Sequence, residues 1–169
     1  VVDIDDRGVL TIDGQATAPI LFTSSYATPD RFQTHLTSGI KLHRIIAGDH
    51  TSLMAGVDEP GGQLENQIAS LAAQVRALRA SDPEARVLLL CGLDMPNTWK
   101  FEHHEDTMIL GDGRRLVPLS AYNHQIGYVQ ESTSSRVVHE AVYRQVHDFV
   151  QLVREQPWAD AVIGFAFMQ

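Results

Sequence analysis

The sequence predicts an α/β fold built from parallel βα repeats, preceded by a β-hairpin. Strand-like apolar segments alternate with helices over most of the 169 residues, and two of those helices are long and amphipathic. One strand segment, RVLLLCG at residues 86–92, is a continuous apolar run. Such runs are typical of parallel strands whose two faces are both covered. The order is therefore a hairpin, three strand–helix pairs and a final strand.

The N-terminal half begins with the hairpin, at residues 1–15, where Asp-Arg-Gly and Asp-Gly signal turns. A compact strand follows at about residues 19–24. A Thr-Pro pair, typical of a helix N-terminus, opens a helix over residues 28–39 that ends at a glycine. The second strand of the repeats then spans about residues 40–47.

The C-terminal half holds the two longer helices. The first ends at residues 81–83, and its apolar residues recur every three or four positions. The third strand leads into a long irregular stretch at residues 93–133. The second long helix spans about residues 134–155, and the final strand lies within residues 159–169. The predicted core stripes are Leu64, Ile68, Leu71, Val75 and Leu78 in the first helix, and Val138, Val142, Val146, Phe149 and Val153 in the second.

Composition and charge narrow the classes of function. Hydrophobic content of 44% and charged content of 20% are typical of a soluble globular protein, with the cytoplasm slightly favoured as its compartment. The formal net charge of -8, without any Lys/Arg run, argues against nucleic acid as a partner. No apolar stretch reaches the roughly 18 residues of a membrane span, so no membrane partner is expected. The single cysteine, Cys91, lies in an apolar strand and is predicted to be buried and unreactive.

Motifs for metal and nucleotide binding are weak, and we expect no cofactor. The segment HHED, residues 103–106, contains the imidazole and carboxylate groups that zinc binds. Adjacent residues rarely converge on one ion, so a solvated loop is the favoured interpretation. The sequence contains neither HExxH, GxGxxG nor a P-loop pattern.

Two architectures share this alternation of elements: a complete four-stranded open sheet, and the first half of an eight-stranded (β/α) barrel of about 250 residues. Spacing alone does not separate them, but short motifs favour the barrel. GIKLHRI at residues 39–45 resembles the G-F-N-x-V-R-I stretch on the second barrel strand of clan A glycoside hydrolases. This clan includes the β-galactosidase-like and cellulase-like families.

Further motifs carry the same resemblance. The segment VLLLCGLDMPNTW, residues 87–99, is similar to that clan's third strand, which runs into a Pro-x-x-Trp segment at the sugar site. VIGFAFMQ, residues 162–169, resembles the fourth strand, V-I-G-W-Q-x-x-N-E, whose last residue is the acid/base glutamate. The resemblance implies that residues 1–169 are the N-terminal half of a (β/α)8 catalytic domain, with a hairpin at residues 1–15 and a loop insertion at residues 93–133.

The resemblance implies a retaining β-glycosidase, β-galactosidase-like, that acts on a carbohydrate substrate. Retaining hydrolysis uses two carboxyl groups about 5 Å apart. The family places them after its fourth and seventh strands, outside these 169 residues. The segment would then supply walls of the substrate site, with the remaining half of the barrel as its partner.

The resemblance also assigns individual residues. Arg44 matches the family's arginine beside the nucleophile, where it would support catalysis by keeping that carboxylate ionised. The residues expected to contact substrate are Asp94, Trp99, Gln169 and Tyr26, of which Gln169 takes the asparagine position next to the acid/base.

Several of these residues could have a structural role instead of a functional one. Arg44 could form a salt bridge that caps the strand end, Trp99 could pack the loop instead of stacking on a sugar, and Asp94 could cap a turn. His43 precedes Arg44 and points the other way by strand alternation, so it is predicted to pack on the helix side.

Two other functions stay open. The chain could be a complete small α/β domain that binds a ligand or protein without catalysis, through the stretch at residues 93–133. It could also be a degenerate barrel that binds sugar without hydrolysing it, because Ala166 and Met168 stand where the family's fourth strand is polar. The sugar, the linkage and the oligomeric state, a homo-oligomer included, are not specified by the sequence.

Overall fold

The computed structural model describes residues 2–23, 39–46, 52–55, 57, 62–115 and 129–168. In this part of the chain the fold is mixed α/β, with one four-stranded parallel sheet and one three-stranded antiparallel sheet. The strands are β1 (Val2–Ile4), β2 (Leu10–Ile12), β3 (Gln15–Ala16), β4 (Leu21–Thr23), β5 (Leu42–Ile46), β6 (Arg86–Gly92) and β7 (Val162–Met168). The α-helices are α1 (Gly62–Ser81), α2 (Asn97–Glu102) and α3 (Arg136–Arg154), and short 3-10 turns lie at His104–Asp106 and Ala159–Ala161.

The parallel sheet confirms the predicted βα repeats. Its strands lie in the order β4-β5-β6-β7, which is also their order along the chain. Between β6 and β7 the register shifts at Val87 and Leu88, so that Ile163 is an extra residue on β7. The predicted helix at residues 28–39 lies outside the described residues except for its final glycine.

One face of this sheet is covered by α1 and α3. Ile45 of β5 and Leu89 of β6 are partners in register, and Leu89 in turn pairs with Phe165 of β7. Phe149 of α3 meets Phe165 edge to face, with ring centroids 6.0 Å apart. The stripe predicted for the first long helix and the C-terminal part of the stripe predicted for the second pack into one core, whereas Val138 and Val142 pack in a second cluster. That core comprises Ile45, Leu53, Leu64, Ile68, Leu71, Val75, Leu78, Ala85, Val87, Leu89, Cys91, Phe149, Val153, Trp158 and Ala161.

The opposite face of the sheet carries Arg44 among apolar neighbours. Arg44 pairs in register with Leu88 of β6, which pairs with Gly164 of β7. Parallel partners in register lie side by side, so these residues share one face. At the N-terminal end of the same face, Arg86 Nη2 lies 3.0 Å from Asp13 Oδ2. This ion pair connects the antiparallel sheet to the start of β6.

The N-terminal residues form two hairpins, not the single one that the sequence predicts. β2 pairs antiparallel with both β1 and β3. Asp13 and Gly14 form the second turn with φ values of 51° and 80°, as a type I′ turn requires. The Asp-Gly signal was therefore a second hairpin turn, and the two-residue strand β3 was too short for its pattern to be seen.

The predicted loop insertion at residues 93–133 contains regular structure in its described part. It holds α2, the 3-10 turn at His104–Asp106 and two isolated antiparallel bridges, Thr107 with Glu131 and Ile109 with Arg115. The second bridge closes a small hairpin around the turn at residues 111–113. Among the described residues, no helix is both long and apolar enough to cross a membrane.

Candidate functional site

Two neighbouring chain segments form hydrogen bonds with the last residues of β6 and β7. The carbonyl oxygen of Gly92 accepts hydrogen bonds from Leu53 N at 2.8 Å and Ser52 Oγ at 3.1 Å. Leu93 N donates to Met168 O at 2.7 Å. Several segments therefore meet at the carboxyl edge of the sheet, where parallel sheets commonly hold their sites.

Arg44 is the middle residue of β5, in register with Leu88, on the face that α1 and α3 do not cover. The residue is partly buried, and no described residue forms a hydrogen bond with its enclosed Nε atom. No ion pair is formed by its guanidinium among the described residues, so the alternative of a capping salt bridge has no support there. A buried guanidinium N–H without an acceptor is costly unless a ligand or another segment satisfies it.

His43 has the orientation predicted from strand alternation. It is 0% exposed, and its ring lies 6.1 Å from that of Phe22 in an edge arrangement. Its Nε2 atom is 3.1 Å from Ile40 O. The prediction of a packed histidine on the helix side is confirmed.

Asp94 and Trp99 occupy different environments. Asp94 is exposed, two residues beyond the end of β6. Trp99 is only 3% exposed, and its ring stacks on that of His103 with centroids 4.5 Å apart. The structure thus places Asp94 beyond the carboxyl end of β6 and Arg44 in the middle of β5, in register with Leu88, whereas Trp99 lies in a second packed cluster. Its stacking on a sugar stays a prediction. The cluster comprises Met54, Met95, Trp99, Val138 and Ala141.

Two further residues that the resemblance assigns to the substrate site, Tyr26 and Gln169, lie outside the described residues. Their roles stay predictions.

A buried ion pair lies close to the carboxyl end of β6, and the sequence did not predict it. Lys100 Nζ is 3.0 Å from Glu131 Oε2, and the side chains are 7% and 1% exposed. Glu131 Oε1 also accepts a hydrogen bond from Met95 N at 3.2 Å. The two residues are 31 positions apart, so no local pattern could have paired them. The pair connects α2 to the bridge at Thr107 and Glu131.

The HHED segment brings three possible metal ligands together. One ligand atom each from His103, Glu105 and Asp106 lies within 4.8 Å of the others. Asp106 Oδ1 accepts a hydrogen bond from Ser135 Oγ at 2.5 Å. The sequence favoured a solvated loop because adjacent side chains usually diverge. The 3-10 turn at His104–Asp106 makes them converge, and that turn has no signal in the residue spacing.

An apolar groove of about 370 Å³ lies between the N-terminal half of α3 and the residue that follows β6. His139 and Thr133 form a polar part of its rim. The Nε2 atom of His139 lies 2.6 Å from Thr133 O. The lining residues are Leu93, Thr133, Val138, His139, Val142, Tyr143 and Val146. The groove could hold an apolar group with one or two polar atoms.

Cys91 lies on the helix side of β6 and is fully buried. Burial raises the pKa of its thiol to about 12, because the apolar surroundings disfavour the thiolate. The prediction of a buried thiol is confirmed.

Comparisons with known proteins add no assignment. A scan against protein-family models, a search of curated proteins and a search of solved structures found no match to this chain.

Proposed function

We propose that this chain forms the first half of a (β/α) barrel of a retaining β-glycosidase, similar to the β-galactosidase-like group. Its parallel strands would supply walls of the sugar site, and the remaining half of the barrel would complete that site. The acid/base and the nucleophile would come from outside residues 1–169. Carbohydrate would be the substrate.

The winding of the sheet supports a barrel over a doubly wound sheet. In doubly wound folds the strand order reverses at a switch point, and helices cover both faces. Here the four parallel strands follow their order in the chain, and α1 and α3 contribute to one core. Right-handed crossovers that always step in one direction place every helix on one side, as in a barrel. The opposite face would then line the barrel interior.

Arg44 is the observation that carries the functional part of the proposal. It lies on the proposed interior face, and its buried Nε atom has no hydrogen-bond partner among the described residues. A carboxylate arriving from the other half of the barrel would satisfy that donor. A guanidinium bound to the carboxylate through two N–H groups would keep the nucleophile ionised and oriented.

Asp94 would act on the substrate directly. Its exposed carboxylate follows β6 at the edge where barrel enzymes bind their substrates. A carboxylate there can accept hydrogen bonds from sugar hydroxyl groups. Such bonds help to place the glycosidic bond between the two catalytic carboxyl groups.

The test is turnover of aryl β-glycosides by the protein that contains both halves of the barrel. Arg44→Met removes the charge and the donors while keeping an apolar stem, and it should lower kcat/KM on the order of 100-fold or more. Arg44→Lys should restore only part of this loss, because an ammonium cannot replace a two-pronged guanidinium.

Arg76→Met is the matched control, since Arg76 is an exposed residue of α1. It should leave turnover unchanged. Unchanged turnover in Arg44→Met, with the far-UV circular dichroism of the wild type, would contradict the proposed role.

A second candidate function rests on the groove of about 370 Å³. Leu93 and Thr133, the two ends of the predicted loop insertion, both line it. A small binding domain without catalysis would use this groove to hold an apolar ligand. In that case Val142→Asp would abolish ligand binding, whereas Arg44→Met would not affect it.

A further inference from the structure

We propose that His103, Glu105 and Asp106 bind a divalent transition-metal ion, with Zn²⁺ as the best-matched probe. His103 directly precedes the 3-10 turn that follows α2, and Glu105 and Asp106 are part of that turn. The inference is independent of the proposed glycosidase activity, because it depends only on this turn and the side chains that touch it.

The donor atoms are already close to a coordinating arrangement. Each residue offers one ligand atom, and all three atoms lie within 4.8 Å of one another. Ligands at about 2.0–2.2 Å from a zinc ion stand roughly 3.5 Å apart. A small inward rotation is therefore needed, and Glu105 can make it because its side chain is 62% exposed.

Two of the three side chains are held in place by residues outside the cluster. The imidazole of His103 stacks on the buried ring of Trp99 at an interplanar angle of 19°. Asp106 receives a hydrogen bond from Ser135, whose hydroxyl also caps α3 by accepting a bond from Val138 N. Contacts of this kind orient the ligands in known metal sites and reduce the entropy lost on binding.

The charge around the turn has no lysine or arginine partner in the part of the chain that the structure describes. Among the described residues, neither Glu105 nor Asp106 forms an ion pair with a lysine or arginine. The ion pairs that Glu105 forms among the described residues are with imidazoles, His103 Nδ1 at 4.0 Å and His104 Nδ1 at 3.6 Å. Two carboxylates without a fixed counter-charge favour a bound cation, and this second observation is separate from the proximity of the donors.

The donor set indicates which cation. An imidazole nitrogen with two carboxylate oxygens suits zinc and similar transition metals, whereas Ca²⁺ and Mg²⁺ prefer oxygen ligands alone. With three protein ligands, water would fill the remaining position.

The test is a Zn²⁺ titration of the full chain by calorimetry, in parallel with Mg²⁺ and Ca²⁺. We expect one Zn²⁺ per chain and no binding of the other two ions in the same concentration range. His103→Phe keeps an aromatic ring on Trp99 but removes the nitrogen ligand, and it should weaken zinc binding by more than about tenfold. Glu105→Gln should weaken it similarly, without altering the fold.

His104→Phe is the matched control, because His104 is the neighbouring imidazole outside the three-residue cluster. It should retain affinity within about threefold, well below the effect expected for a lost ligand. The proposal would be overturned by the absence of stoichiometric zinc binding, by wild-type affinity in His103→Phe, or by an equal loss in His104→Phe.

Discussion

Arg44 and His43 are neighbours in β5 and have opposite roles. His43 is packed beside Phe22 on the helix side, whereas Arg44 lies on the other face with a buried donor that no described residue satisfies. The difference follows from the two-residue period of a strand. Period alone could therefore predict which of the two faces the proposed barrel interior. It could not predict what the guanidinium binds.

Cys91 leads to a prediction about reactivity and pH. Because burial raises the pKa of its thiol to about 12, almost none of the thiol is ionised at pH 8. Thiol reagents should therefore react slowly with the native protein and rapidly once it is unfolded in urea, as followed by absorbance. Fast native labelling would contradict the burial of this strand.

The same pKa shift has a defined sign for stability. The unfolded thiol releases its proton near its ordinary pKa of 9.0, while the folded thiol still holds it. The unfolded state thus binds fewer protons above pH 9, and the contribution of Cys91 to stability falls as the pH rises from 9 towards 12. Cys91→Ala should flatten this part of the pH profile of the urea midpoint.

At the residue scale, sequence reasoning succeeded where a repeating pattern existed and failed where a turn decided the geometry. Burial of His43 and Cys91 followed from strand pattern and composition. The convergence of His103, Glu105 and Asp106 depends on the 3-10 turn, which has no period to read. The burial of Trp99 could not be predicted from a local pattern either, because it depends on contact with the distant helix α3.

At the scale of elements, the helices and parallel strands with clear apolar periods were predicted within a few residues. The strand predicted at residues 86–92 has those bounds in the structure, and the helix predicted at about residues 134–155 is Arg136–Arg154. The short helix α2 was missed because six residues are too few to show a helical period. Its position is set by tertiary contacts, among them the buried pair of Lys100 and Glu131.

The start of α3 is predicted to depend on one hydroxyl group. Ser135 Oγ accepts a hydrogen bond from Val138 N and donates one to Asp106. Ser135→Ala should lower the free energy of unfolding by about 1 kcal/mol, as expected for loss of an N-cap. Urea denaturation measures this, with Ser134→Ala as control, because the neighbouring exposed serine is not the cap residue. Equal effects in both variants would contradict the assigned cap.

The buried pair of Lys100 and Glu131 should have a larger effect. Lys100→Met removes the ammonium group from the buried pair with Glu131, and breaking a buried pair in this way costs about 3–5 kcal/mol. Urea denaturation should show a large drop in midpoint. The exposed pair of Arg136 and Glu140 provides the control, since Arg136→Met should change stability little. A small effect of Lys100→Met would mean that water reaches this pair.

At the scale of the whole molecule, the proposal of a half-barrel concerns the two edge strands of the parallel sheet. β4 and β7 are the outer strands, and among the described residues each has a neighbour in the sheet on one side only. Edge strands of a sheet expose unpaired backbone groups that tend to pair with further strands. In a closed barrel both edges are paired, and the face with Arg44 becomes the interior.

A degenerate barrel would share this architecture and differ in chemistry. Ala166 and Met168 lie on the same face as the proposed site and offer no polar atoms to a sugar. Such a barrel would bind iminosugars without turning over aryl glycosides. Turnover in the complete protein, lost in Arg44→Met, separates the hydrolase from this alternative.

Mass of the native protein in solution is the most direct test of the central claim that this sheet is half of a barrel. An eight-stranded barrel needs about 250 residues, whereas this chain accounts for 18.7 kDa. Native mass spectrometry should therefore detect a longer chain or a tightly bound second one that supplies the missing strands. A monomer of 18.7 kDa that unfolds cooperatively on its own would contradict the half-barrel and favour the small binding domain.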